Sequence, residues 1–156
     1  MGIRSHIQIV VCALAVALSA GRAGAQPSPR NANYTLSATL DAATHRISGT
    51  GRLTWRNISS TPATELRLHM YWNAWRDQSS TWMREQAMGL NPAMAKRSSD
   101  GRGSIELTAL SLADAVGPKD LLPAAHFVAP DDGNTNDRTV LAVPLEKPVP
   151  PGGVID

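Results

Sequence analysis

Apolar side chains recur at every second position through much of this chain, and that period names its elements. In the stretch E-L-R-L-H-M-Y-W-N-A-W, from Glu65 to Trp75, Leu66, Leu68 and Met70 alternate with Arg67, His69 and Tyr71. On a helix Leu66 and Leu68 would stand about 200° apart and form no apolar stripe, so the stretch predicts a half-buried strand. The alternation stops at Trp72, Asn73, Ala74 and Trp75, which predicts an aromatic corner at the end of a central strand, with the other strands laid against it.

The same period organises the flanking sequence. After an extended lead-in at 26–33, Tyr34, Leu36, Ala38 and Leu40 share one face and Thr35, Ser37 and Thr39 the other. A polar turn from Asp41 to His45 follows, and then Ile47, Leu53 and Trp55 point inward while Arg46, Ser48, Thr50, Arg52, Thr54 and Arg56 point outward. Gly49 and Gly51 fall at inward positions, where a missing side chain suggests a bulge or a close crossing of another strand. These segments predict a hairpin, and a turn from Ile58 to Pro62 makes the Glu65 strand the third member of an antiparallel meander. Ser79-Ser80-Thr81 offers N-cap hydroxyls to a helix of one or two turns over Trp82–Gln86, with Glu85 placed in its first turn. Residues Gly89–Gly103 read as loop, and Ile105, Leu107 and Ala109 restart a strand. Gly117–Asp120 turns the chain, Phe127 and Val128 form an apolar couple, and Pro130–Asn134 is a second turn cluster. Thr139–Leu145 alternates again, with Leu141, Val143 and Leu145 on one side, and Pro144 places it at an edge or ends it early. Beyond the turn at Pro148–Gly153, Val154-Ile155-Asp156 begins a further strand. The expectation is an all-β domain, an antiparallel sandwich or saddle with one short helix and its final strands missing.

Composition changes this picture at the N-terminus. Arg4, an apolar run from Ile7 to Leu18, and Ala23-Gly24-Ala25 before Gln26 have the form of a signal peptide cleaved between Ala25 and Gln26. The division is therefore 1–25 signal peptide, 26–33 linker and 34–156 β domain, with export to the periplasm or medium. The apolar run is shorter than the roughly 20 residues of a permanent membrane span. Of the 15 Lys and Arg, Arg4 and Arg22 fall in the leader, which leaves 13 against 13 Asp and Glu, so the charge balance gives no support to a nucleic-acid partner. Cys12 lies in the apolar run, and the remainder has no thiol for nucleophilic attack, metal binding or a disulfide.

Candidate chemistry is sparse. His45, His69 and His126 are far apart and none belongs to an H-E-x-x-H or H-x-H pair. Asp132-Gly133-Asn134-Thr135-Asn136-Asp137 half-resembles a calcium loop, but Asp137 replaces the required glycine and Val143 the final bidentate glutamate. There is no G-x-S-x-G elbow, no phosphate-cradling glycine loop and no glutamate pair spaced for glycoside chemistry. Asn33-Tyr34-Thr35 and Asn57-Ile58-Ser59 match the glycosylation sequon. The binding candidates are the aromatics Tyr71, Trp72, Trp75 and Trp82, which either plug the sheet end or present a platform to a sugar or protein surface.

Taken together, Y-T-L-S-A-T-L-D-A-A-T-H-R-I-S-G-T-G-R-L-T-W-R-N, E-L-R-L-H-M-Y-W-N-A-W and P-D-D-G-N-T-N-D-R-T-V-L-A-V-P-L resemble the N-terminal domain of bacterial gluzincin aminopeptidases, the aminopeptidase N kind of zinc metallopeptidase. The resemblance covers Tyr34 to Asp156. It implies a β-sandwich or saddle that walls the substrate cleft of a catalytic domain following in cis, with a peptide substrate in the full protein. Zinc would be the cofactor of that downstream domain, with none in this chain. The family's H-E-x-x-H and G-x-M-E-N motifs do not occur here, so no catalytic or metal residue is carried over, and the chain is expected to be a fragment. The alternative expectation is a stand-alone secreted binding module using the aromatic platform.

Overall fold

A computed structural model of the chain describes residues 29–156. The leader, its cleavage point at Ala25–Gln26, and Cys12 lie outside the described residues. Among the described residues, eight strands form three antiparallel sheets. The order is β1 (Ala32–Asp41), β2 (Arg46–Arg56), β3 (Ala63–His69), β4 (Ser111–Leu112), β5 (Lys119–Asp120), β6 (His126–Val128), β7 (Val140–Val149) and β8 (Val154–Ile155). Helical residues occur in short pieces, among them α1 (Thr81–Glu85) and α2 (Pro92–Ala95). The all-β expectation holds.

The hairpin β1–β2 pairs without interruption from Ala32↔Trp55 to Asp41↔Arg46, so the first strand begins two residues earlier than Tyr34. Its turn is tied by Asp41, whose carboxylate accepts from Ala43 N (2.9 Å) and Thr44 Oγ1 (2.7 Å), while His45 closes it at φ 53°. No bulge marks Gly49 or Gly51. The reason for glycine is lateral: a Cβ on Gly51 would meet Leu36 Cδ2 at 2.4 Å, because the Leu36 side chain lies across its paired residue. The inward face is also drier in pattern than in fact. Only Leu53 and Trp55, at the base, are half-buried, and Ile47 projects into solvent.

The predicted meander does not form. Instead of pairing with β2, β3 joins a second sheet ordered β3-β7-β6, and β8 takes the place beside β2. The switch is made at Asn57, a buried residue at the end of β2. Its Nδ2 donates to Thr61 O (2.8 Å) and Val149 O (2.9 Å), and its backbone joins Gly152 and Gly153. The carboxamide also holds Ser59 through Oδ1, so the turn at 58–62 folds around one side chain. That burial closes the Asn57 sequon in the folded protein, whereas Asn33 stays exposed on β1.

The central strand is β7, not the Glu65 stretch, which lies at an edge. Leu141, Val143, Leu145 and Val149 enter the core with Met70 and Leu121, and Trp55, Leu66, Leu68, Leu107, Leu110 and Ile155 pack around them. Ala142 on the opposite face is also buried, between Arg67 of β3 and His126 of β6. Pro144 is accommodated because β6 ends at Ala142, and because the β3 register slips just after Glu65↔Pro144. The expected strand at Ile105–Ala109 joins no sheet; Leu107 packs, partly buried, against the core without a ladder. Replacing Asn57 with alanine removes the side-chain donor to Val149 O and the Oδ1 acceptor that holds Ser59, and should cost about 1–3 kcal/mol in chemical denaturation. A loss below about 0.5 kcal/mol would show that the corner does not couple the sheets.

Candidate functional site

The four aromatics singled out in the sequence are brought to one end of the second sheet, but not into one environment. Leaving β3, the chain makes a 3₁₀ turn over Tyr71–Trp75. Trp75 and Trp82 are half-buried, with ring centroids 5.0 Å apart, and Trp72 leans on Trp75 at 5.9 Å. Trp72 and Tyr71 remain 61% and 65% exposed. Tyr71 meets the ring of His69 edge-on at 4.7 Å, which places that histidine in the aromatic rim. Gly103 passes so close to Trp72 that a Cβ there would lie 3.1 Å from Cε3. Trp75 and Trp82 thus pack together half-buried, while Trp72 and Tyr71 face solvent.

What fixes the corner is polar. Asn73, buried in the middle of the turn, donates from Nδ2 to Arg138 O (2.9 Å) and accepts from Ile105 N at Oδ1 (2.9 Å). Two loops remote in sequence are thereby tied to the backbone that carries Tyr71 and Trp72. Helix α1 starts at the expected cap: Ser80 Oγ accepts from Met83 N (3.2 Å) and donates to Ala74 O (2.6 Å). Glu85, expected in the first turn, instead closes the helix, so it does not act on the N-terminal dipole end. Within 89–103 the chain forms α2 and a short 3₁₀ turn at Ser99–Gly101.

The acidic loop that half-resembled a calcium site is a clasp on α1. Asp132 Oδ2 accepts from Thr81 Oγ1 (2.7 Å), Asp137 Oδ2 accepts from Thr81 N (3.1 Å), and Asp137 Oδ1 accepts from Thr139 N (2.8 Å). Asn134, buried between them, donates to Ser79 O (2.8 Å) and Thr81 Oγ1 (3.1 Å). Among the described residues no three His, Cys, Asp or Glu side chains converge as a metal site. His45 sits in the hairpin turn, and His126 Nδ1 contacts Ala124 O at 3.2 Å. No helix among the described residues is long and apolar enough to cross a membrane.

Signals for Asn73 and Asn134 were not legible locally, since both are residue types found in any turn. No family model, curated protein or solved structure matches the chain.

The clasp has an electrostatic signature. Burial raises the Asp137 carboxyl, but hydrogen bonds from Thr139 and Thr81 outweigh it and hold it below the ordinary carboxylate range. Asp132 is lowered chiefly by the Asn134 backbone N–H. A carboxyl that titrates lower in the folded state contributes stability above its unfolded pKa of about 4 and loses it as pH falls through the folded value. Asp137→Asn should therefore cost about 1–3 kcal/mol at pH 7. The gap from wild type should shrink on acidification below about pH 4, as read by urea denaturation at each pH. A gap independent of pH would exclude the carboxylate as its source.

Proposed function

We propose that the chain is an exported, non-catalytic β domain of a zinc aminopeptidase-like metallopeptidase, and that its aromatic corner lines the substrate cleft or the contact with the catalytic domain. The observation that carries this reading is the corner itself. Tyr71 and Trp72 are exposed, yet the turn bearing them is held by a buried Asn73 and backed by Trp75 and Trp82. A preorganised aromatic edge on a sheet end loses little conformational entropy when a partner or peptide covers it. The resemblance of the quoted segments to the gluzincin N-terminal domain supports the family reading, and the leader-like segment at 1–25 supports export to the periplasm or medium.

Zinc chemistry is not assigned to these residues. In this reading the metal and its general base belong to a catalytic domain following in cis. This chain contributes shape and burial. The pure polypeptide is expected to leave an aminoacyl-anilide unhydrolysed and to retain less than stoichiometric zinc after dialysis, measured by absorbance and by atomic emission. Turnover that scales with protein concentration overturns the reading.

The exposure of Trp72 and Tyr71 also favours a second function, a stand-alone secreted module that stacks these rings on a carbohydrate or protein surface. The two roles separate by mutation. Trp75→Ala should cost about 2–4 kcal/mol of stability, because its ring fills the space beside Trp82. Trp72→Ala should leave stability within about 1 kcal/mol of wild type. If oligosaccharide titration quenches wild-type tryptophan fluorescence but not that of Trp72→Ala, the module reading replaces the first.

A further inference from the structure

The β1–β2 ribbon is amphipathic, and its apolar face is bare. Tyr34, Leu36, Leu40 and Ile47 are each between 62% and 73% exposed. The register makes them one surface: Tyr34 stands opposite Leu53, Leu36 opposite Gly51, Ala38 opposite Gly49, and Leu40 opposite Ile47. No charged side chain interrupts it. Every residue of the other face is polar, from Asn33, Thr35, Ser37 and Thr39 to Arg46, Arg52, Thr54 and Arg56. Apolar surface of this extent is uncommon on a free monomer and marks a contact.

We propose that this face is the interface between two copies of the chain, stacked ribbon on ribbon. Three features favour a second copy as the occupant. The relief is self-complementary: Ala38 and Gly49 leave a hollow at mid-ribbon, flanked by the Leu36 knob on one side and the Leu40–Ile47 pair on the other. Under a twofold axis, the knob of each copy enters the hollow of the other. The electrostatics agree, because stacking through this face buries no charge, while stacking through the opposite face would oppose Arg46, Arg52 and Arg56 to their own copies. The area is sufficient. Four large side chains at this exposure present roughly 500–600 Å² per copy, so the pair removes about 1,000–1,200 Å² from water, at the lower bound of specific interfaces. Two such ribbons stack as layers of a sandwich, about 10 Å apart.

The test is the association state of the full chain and two variants by sedimentation equilibrium between about 1 and 100 μM, on the order of the dissociation constants of small interfaces. Wild type is expected to be in monomer–dimer exchange. Leu36→Asp should raise the dissociation constant at least about 100-fold, because it buries a carboxylate at the knob. Ser37→Asp, one residue along on the opposite face, should change it less than about threefold. Both positions are exposed, so circular dichroism of both variants should match wild type. A monomer throughout the range overturns the proposal, as does association indifferent to Leu36→Asp, which would locate the contact elsewhere, the leader included. Open-ended species larger than a dimer overturn it too, since a twofold contact closes on itself.

Discussion

The carboxamide of Asn57 is the point on which the architecture turns. Its two donors satisfy carbonyls of the 58–62 turn and of β7, and its backbone joins the 150–153 turn. One side chain therefore decides that the chain leaves the first sheet after β2 and enters the second at β3. Without it the buried Val149 carbonyl loses its carboxamide donor and Thr61 O keeps only Ser59 Oγ, and no apolar residue of similar size relieves that cost. The core then assembles where the corner directs it. Trp55 and Ile155 come down from the first sheet onto Leu66, Leu68, Leu141 and Val143 of the second.

Alternation made the strands legible and left their partners illegible. A two-residue period fixes which side chains share a face, and the structure keeps those faces in β1, β2, β3 and β7. It carries no information about which strand is central. Pro144 suggested an edge because it has no N–H to give a ladder, yet β7 lies in the middle, since β6 pairs with only its first residues. Ile105–Ala109 shows the converse: a strand-like sequence whose Leu107 reaches the core while its backbone joins no strand ladder. Side-chain burial and ladder formation are separate events, and the pattern reports only the first.

The aromatic corner was legible in its residue types but not in what holds it. Trp72, Trp75 and Trp82 announce themselves by size, whereas their division into exposed and half-buried depends on the path of the turn. Asn73 sets that path through Arg138, 65 residues away, as Asn57 sets the sheet switch through Val149, 92 residues away. Short polar side chains are common in every turn, so their long-range partners leave no local trace. The acidic loop at 131–137 is the instructive case. Its residues look like ligands because oxygen-rich turns and cation loops draw on the same side chains, and here the N–H and O–H groups of α1 and its flanks fill the role a cation would fill.

The ribbon raises a different physical question, namely what keeps it straight. A two-stranded hairpin is marginal in water by itself, and this one meets the core only at its base, through Trp55. Beyond that base it relies on its ladder and on the Asp41 turn. Its outer half is therefore the part of the fold with the smallest free-energy cost of local opening. Covering its apolar face and ordering its strands are thermodynamically one event, because whatever binds the flat ribbon and not the opened one stabilises the flat form. The exposed leucines consequently have two roles that cannot be separated: they invite the contact, and the contact is what secures the geometry in which they stand.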